Sequence, residues 1–357
     1  MKVLQIIPTL GMGGAEVMCE TLTNALISKG HEVIVISLYE EKTIIADRLN
    51  QAGVNIRYLG KKKGLDFSCV KNLKQIIKEY QPDVVHTHLY ALKYAVMAMI
   101  GLSMTPIVHT VHSVAQKESG KVDKALNKLI FLSKKAIPVA LSSEVLKSMQ
   151  SVYGIKEEDC PIVANGVTLE KYLPKKEYGL LDPVSLIHVG SFSPVKNHMC
   201  MIEAVQRLRD EGVSVRLRLV GDGMLRDEIE RKIVECKLNE YVELCGVSSE
   251  IHKKLIESDI FVFPSKWEGI PMSLIEAMGT GLPIVASNVG GIKDMLKNEE
   301  TALLINPASE ELALAIVRLI NDYGLRKTIG INAYKQSRKY SATTMASAYE
   351  KIYNTVR

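Results

Sequence analysis

Short β-branched runs alternate with helix-period segments along this chain, and the alternation breaks once and then starts again. Val3–Ile7, Val33–Ser37, Val84–His88, Ile107–His112, Val139–Ser142 and Ile162–Ala164 read as strands, with helices such as Gly14–Lys29, Val70–Tyr80 and Leu89–Leu102 between them. A second set follows at Leu186–Gly190, Arg216–Val220, Val242–Cys245, Ile260–Pro264, Ile284–Ser287 and Ala302–Ile305. Near-continuous apolar strands separated by helices require parallel sheets covered on both faces. Between the sets, Asn165–Pro183 carries Gly166, Pro174, Gly179 and Pro183 and has no apolar period, as a linker would. The expectation is an α/β chain of two tandem, doubly wound, Rossmann-like domains with a cleft between them. The N-terminal one spans 1–170 and the C-terminal one 184–340, joined by 171–183. A helical tail, 341–357, is expected to pack back on the N-terminal domain. The 357 residues suffice for two cores of ordinary size.

Composition narrows the function. Hydrophobic residues at 47% and charged residues at 24% exclude a disordered chain. Six cysteines without a Cys-x-x-Cys pair argue for reduced thiols and against a disulfide framework or a zinc site. No run approaches the roughly 20 apolar residues of a membrane span, and Val3–Pro8 is too short for a signal-peptide core. A cytoplasmic enzyme with at most peripheral membrane contact is the expectation. The net charge of +5 is uneven: residues 1–175 hold 22 Lys/Arg against 16 Asp/Glu, or +6, and the rest hold 23 against 24, or −1. With 6% aromatics and no interleaved Arg–aromatic pattern, nucleic acid is a poor partner. An anionic acceptor or membrane surface beside the N-terminal half is a better one.

Two loops carry the chemistry. Pro8–Glu16 ends the first strand with Gly11, Gly13 and Gly14, so backbone N–H groups can approach a ligand at the following helix start. Glu16 replaces the last glycine of Gly-x-Gly-x-x-Gly, which disfavours a nicotinamide-binding domain. The second loop, Phe263–Gly279, runs from a strand end through Glu268 and Gly269 into a helix opening near Pro271. Open N–H groups around Met272–Leu274 can hold a diphosphate, while Glu268 and Glu276 flank one elongated ligand. A carboxylate suits vicinal hydroxyls because its two oxygens accept two O–H bonds.

Glu268, seven residues, then Glu276, with Glu-Gly-x-Pro in front and Glu-Ala-Met behind, resembles the signature of family-4 retaining glycosyltransferases of group 1, which have the GT-B architecture. The likeness extends to Gly13-Gly14-Ala15-Glu16, Asn165-Gly166-Val167, Gly190–His198, Val220-Gly221-Asp222-Gly223 and Gly290-Gly291. It implies that Glu276 binds the nucleotide ribose, Glu268 the donor-sugar hydroxyls and Lys196 the diphosphate. Gly13 and Gly14 close over the donor, and His112 sits at the reacting sugar. Gly269, Ile270, Met272, Ser273 and Leu274 complete the donor-binding set.

The implied reaction moves a hexose or N-acetylhexosamine from a nucleotide sugar, UDP foremost, to an acceptor hydroxyl with retention. The acceptor is a lipid-linked or surface-polysaccharide glycan. No cofactor beyond the donor is implied, and the lack of an Asp-x-Asp sequence argues against a metal. His86, His88, His109 and His112 cluster at two strand ends, where lining or core roles outweigh metal ligation. Ser191 stands where the family usually has arginine, leaving Lys266 as a candidate second cation. Two rival readings remain: a nucleotide-sugar epimerase of the same architecture, and a degenerate binding or scaffold subunit. Finally, Lys117–Lys135 taken as one helix puts Lys117, Lys121, Lys124, Lys128 and Lys135 on one stripe, with Phe131 nearby. Val122, Leu126, Leu129 and Ile130 form a stripe expected to be buried. That helix is either an ordinary solvated one or a contact with anionic membrane.

Overall fold

Parallel pairing with the strand order β3-β2-β1-β4-β5-β6 organises the first half of the chain. The strands are β1 Lys2–Ile7, β2 Glu32–Ser37, β3 Asn55–Tyr58, β4 Val84–His88, β5 Ile107–Val111 and β6 Ile137–Ala140. This computed structural model describes residues 1–102, 105–118 and 120–357, with side chains for all of these except 117, 118 and 121. Contacts divide the chain into two units, Met1–Val167 with Ala342–Arg357, and Thr168–Ser341. Both are doubly wound.

In the first unit the central strands are buried along nearly their whole length, as parallel strands with helices on both faces must be. Helices α1 Gly14–Ser28, α2 Ile44–Gln51, α3 Phe67–Tyr80, α4 Ala91–Met99, α5 Ala115–Glu118, α6 Lys121–Leu132 and α7 Ser143–Tyr153 cover them. The closing helix Ala342–Val356 buries Met345, Ala346, Tyr349 and Tyr353 against Val3, Met18, Leu22, Val84 and Val108. Its tyrosines also reach polar groups in the sheet: Tyr349 Oη lies 2.7 Å from Thr110 Oγ1, and Tyr353 Oη 2.6 Å from His86 Nδ1.

The second unit repeats the topology in the order β12-β11-β10-β7-β8-β9. Its strands are β7 Val184–Val189, β8 Val215–Val220, β9 Val242–Gly246, β10 Ile260–Phe263, β11 Ile284–Ser287 and β12 Leu303–Ile305. Helices α8 His198–Asp210, α9 Arg226–Glu235, α10 Ile251–Ile256 and α11 Met272–Gly279 follow, then Ser309–Asn321 and Tyr323–Ser337. Strand order reverses between β1 and β4 and again between β7 and β10, and a ligand crevice opens beyond strand carboxyl ends at such points. Residues 171–183 pack on this unit. Lys175 N donates to Thr280 O at 2.9 Å, and Arg326 Nε donates to the carbonyl of buried Tyr178 at 2.9 Å.

Four expectations change. Strand β3 has no counterpart in the sequence reading, because its alternately exposed residues lack an apolar run. Ile162–Ala164 is only a bridge from Ile162 to Ala140. The single helix expected over Lys117–Lys135 is two, since Gly120 is the N-cap of α6. The faces of that helix are also reversed. Phe131 is 5% exposed and packs between His109 and Tyr153, while Val122 is 82% and Leu129 67% exposed. Ile130 is buried as expected and Leu126 is not. The side chains of Lys117 and Lys121 lie outside the described residues.

The closing helix fills a core made by the chain's first strand and helix, so its removal should unfold that unit selectively. Tyr349→Ala is expected to lower the stability of the first unit by about 3–5 kcal/mol. Denaturant unfolding followed by hydrogen exchange would show it, with protection of β7–β12 amides unchanged.

Candidate functional site

Lys196 and Glu268 stand on the loops after β7 and β10, the two strands that flank the switch point of the second unit. Lys196 Nζ donates to Glu268 Oε1 at 2.6 Å, and the same ammonium lies 4.8 Å from the centre of the Phe263 ring. The side chains are 16% and 11% exposed, so the pair is largely shielded yet reachable from one side. Backbone contacts lock the loops together: Lys266 N donates to Val195 O at 2.8 Å, and Gly291 N donates to Glu268 O at 2.9 Å. Glycines make this approach possible. A Cβ at Gly291 would sit 2.1 Å from Gly269 O, and one at Gly223 would sit 2.8 Å from Phe192 N. Gly221 and Gly223 also have positive φ, of 142° and 158°.

Behind Lys196 lie His188 and His198, both buried. His188 Nδ1 donates to Val262 O at 3.0 Å, so in the neutral ring Nε2 is a bare acceptor. A Cβ at Gly190 would meet that Nε2 at 2.9 Å and Lys196 Cε at 3.3 Å. Burial holds His188 far below its ordinary value and lowers His198 to about 4, with Lys196 adding to both shifts. The cation therefore has neutral imidazoles beside it.

Helix α11 begins at Met272 after an extended Pro271, which is the N-cap itself rather than a first-turn residue. The N–H groups of Met272 and Ser273 have no protein acceptor among the described residues. That of Leu274 does not join them, because it turns back to Pro271 O at 3.2 Å. Two donors thus remain at the helix start for an anion. Ile270 is buried, and Gly269 is half-buried beside it. Further along, Glu276 Oε1 accepts from Tyr172 Oη at 2.7 Å. Loss of water pushes the Glu276 carboxyl up to about 7, against a lowering by Tyr172. Tyr172, Phe263 and His188 escaped the sequence reading; Tyr172 lies 104 residues from its partner, and no local pattern marks it. Ser191 is exposed, with its hydroxyl 3.3 Å from Ser193 Oγ. Lys266 is tied to the Lys196 loop by its backbone and has an exposed side chain.

In the first unit, Gly13 is the N-cap of α1 and has extended backbone. A Cβ there would strike Glu16 Oε2 at 2.4 Å, whereas Gly14 has open space. His112 follows β5, and its Nε2 lies 3.0 Å from His88 Nδ1. His88 Nε2 lies 2.9 Å from Gln5 Oε1. The Gln5 amide is oriented by donation from Nε2 to Thr23 Oγ1 at 2.7 Å and by the Cys19 thiol, 3.4 Å from Oε1. Because that oxygen only accepts, the proton of His88 is on Nε2 and its Nδ1 is bare. His112 must then donate from Nε2, which leaves Nδ1 as an acceptor without a protein partner among the described residues. Burial keeps both rings neutral, and His112 is lowered to about 3 with a further contribution from His109. His86, by contrast, is engaged on both nitrogens, with Tyr353 and Thr110. No group of three His, Cys, Asp or Glu among the described residues is arranged to hold a metal.

Residues 175–336 match the family described as glycosyl transferases group 1, and residues 12–171 match glycosyltransferase family 4. The chain belongs to these GT-B glycosyltransferases. It is 25% identical to the N-acetyl-alpha-D-glucosaminyl L-malate synthase of Bacillus anthracis, over 97% of this chain and 94% of that one. It is 29% identical to the UDP-Gal:alpha-D-GlcNAc-diphosphoundecaprenol alpha-1,3-galactosyltransferase of Escherichia coli, over 72% and 71%. Anabaena HepE in complex with UDP superposes with a TM-score of 0.87 at 20% identity, over 99% and 100%. The glycosyltransferase fold is therefore shared along the whole chain.

Two outcomes follow from the geometry. The nitrogen-15 shifts of His112 should report protonated Nε2 and bare Nδ1, and Gln5→Leu should convert this into a mixture of tautomers. For Glu276, a folded-state value near 7 against an ordinary 4.5 means the folded chain holds the proton more tightly. Stability from this group is present below the ordinary value and is lost as pH rises through that window. Glu276→Gln should match the parent near about pH 4 and exceed it by on the order of 1–2 kcal/mol near about pH 8. Parallel denaturation series at the two pH values test this.

Proposed function

We propose that this glycosyltransferase moves a hexose or N-acetylhexosamine from a UDP-sugar to a hydroxyl of a lipid-linked or surface-polysaccharide glycan, with retention at the anomeric carbon. The observation that carries the reading is the Lys196–Glu268 pair at the β7/β10 switch point, beside two open N–H groups of α11 and with Glu276 further along that helix. The donor and acceptor classes are supported by the Escherichia coli relative, whose name specifies a UDP-galactose donor and a diphosphoundecaprenol-linked acceptor. Anabaena HepE, whose fold this chain shares, binds UDP.

In this scheme the diphosphate accepts from Lys196 and from the N–H groups of Met272 and Ser273. Negative charge developing on the leaving oxygen meets fixed donors that need no reorganisation. Glu268 holds donor-sugar hydroxyls, Glu276 the ribose diol, and Gly13, Gly14 and His112 the reacting sugar. His112 stays neutral above about pH 3, so it contributes a hydrogen-bond acceptor rather than a charge. The anomeric carbon–phosphate oxygen bond breaks and the bond to the acceptor oxygen forms on the same face. The acceptor proton passes to the departing diphosphate. Lys196 supplies the positive charge that a divalent ion provides elsewhere, so turnover needs no metal. Ser191 leaves Lys266 as the second cation.

Glu268→Gln and Glu276→Gln should each lower turnover by roughly tenfold or more, the value of about 1.4 kcal/mol of lost hydrogen bonding, with the fold intact. Activity of either variant within about twofold of the parent removes the assignment. Exhaustive chelation should leave turnover unchanged while Lys196→Ala abolishes it. Loss on chelation with recovery in magnesium overturns the metal-free scheme. Sugar conversion without any acceptor would favour the epimerase.

A further inference from the structure

Tyr172 donates from Oη to Glu276 Oε1 at 2.7 Å, and no other side chain bonds that carboxylate among the described residues. The tyrosine is mounted independently of this bond. Tyr172 N donates to Leu169 O at 3.0 Å, closing the turn Leu169–Lys171, and buried Leu169 packs on α11. Gly279 makes room for the approach: a Cβ there would meet Leu169 Cδ2 at 2.8 Å and Tyr172 Cβ at 3.3 Å. Further along, Lys175 N donates to Thr280 O at 2.9 Å, and its ammonium lies 3.6 Å from Asp259 Oδ1. The Tyr172 ring also meets His252 of α10 edge to face, with centres 6.4 Å apart. All of this packing needs the ring alone. The hydroxyl has a separate use, and burial together with Glu276 pushes its ionisation well up, so it stays a donor.

We propose that Tyr172 is a positioning residue for the nucleotide: it aims the Glu276 carboxylate so that both hydroxyls of a ribose donate to it, which selects ribonucleotide over 2′-deoxyribonucleotide donors. The proposal rests on the assignment of Glu276 to the ribose. Glu276 leaves α11 on a flexible stem, and ordering such a stem costs side-chain entropy. A vicinal diol needs two acceptor oxygens at a fixed spacing and orientation, so a carboxylate that turns freely meets it poorly. Tyr172 takes one lone pair of Oε1, and Oε2 has no protein partner among the described residues. Donation from Tyr172 also favours the ionised carboxylate against the effect of burial, and only that form accepts at both oxygens. A 2′-deoxyribose then leaves one prepared acceptor unpaired, which is how a site built for a hydroxyl rejects the analogue without it.

The test is calorimetric titration of the full chain with UDP and with 2′-deoxy-UDP, for the parent, Tyr172→Phe, Glu276→Ala and the double variant, with melting temperatures alongside. The parent should prefer UDP by roughly tenfold or more. Tyr172→Phe keeps the ring, and should keep the melting temperature. It should weaken UDP about tenfold, the scale of a hydrogen bond to a charged group, and 2′-deoxy-UDP by less than about threefold. In the Glu276→Ala background the same change should have no effect on either ligand. No preference for UDP in the parent overturns the proposal, as does Tyr172→Phe binding UDP like the parent. Equal weakening of both ligands, or weakening that persists without Glu276, reduces Tyr172 to a packing role and overturns it too. Tighter binding of UDP by Tyr172→Phe overturns it in favour of a hydroxyl that blocks the ribose. Glu276→Ala binding UDP like the parent removes the ribose assignment itself, and the proposal with it, whereas the other failures leave that assignment standing.

Discussion

The Lys196–Glu268 pair is the interaction on which the second unit's site depends. Two charges held 2.6 Å apart in a largely shielded position have lost much of their hydration. Each favours the other, because a lone charge in a partly desolvated position is less well compensated than a paired one. The pair therefore ties the loop after β7 to the loop after β10, and the backbone bonds from Lys266 to Val195 and from Gly291 to Glu268 hold the tie in register. Glycines pack the neighbouring loops onto these two: Gly221 and Gly223 after β8 approach the backbone of Gly190 and Phe192, Gly291 after β11 approaches Gly269, and Gly190 leaves room for Lys196 and His188. A diphosphate arriving here meets a cation that is already positioned and whose neighbouring imidazoles are neutral.

The first unit uses a different device. Its sheet places Gln5, His86, His88 and Thr110 in the interior, where apolar side chains are the rule. Buried polar groups are tolerated only as satisfied networks. His86 and Thr110 reach that state through the tyrosines of the closing helix, so the last residues of the chain stabilise polar groups on β4 and β5. Gln5 and His88 form a separate relay that ends at His112. A sequence breaks local rules of burial where chemistry requires it, and the polar interior of β1 and β4 fits that pattern.

The architecture was legible because it rests on period and repetition. Near-continuous apolar runs such as Val33–Ser37 and Ile260–Phe263 mark buried parallel strands whatever packs on them, and their boundaries shifted by only a residue or two. Strand β3 was hidden because an edge strand with alternating exposure has no such run. In the site, Glu268 and Glu276 stood out through spacing within one motif, and Lys196 through the family likeness of the Gly190–His198 loop. Their partners did not: Tyr172 reaches Glu276, and Gln5 reaches His88, only through the fold. Hydrogen-bond pairing across such distances leaves no trace in local periodicity.

Helix α6 shows where periodicity itself runs out. The 3.6-residue repeat located an apolar stripe correctly but carries no information about which stripe faces inward. The smaller set won, because Phe131 has aromatic neighbours at His109 and Tyr153 and Ile130 joins the same core cluster. A ring packed edge-on against another in a core gains contact over most of its surface, while Val122, Leu126 and Leu129 stay exposed, with no opposing element among the described residues. The break at Gly120 allows α6 to turn independently of α5, so the helix follows its aromatic anchor rather than the longer aliphatic row. Solvent exposure of that row is thus a consequence of what the core selected.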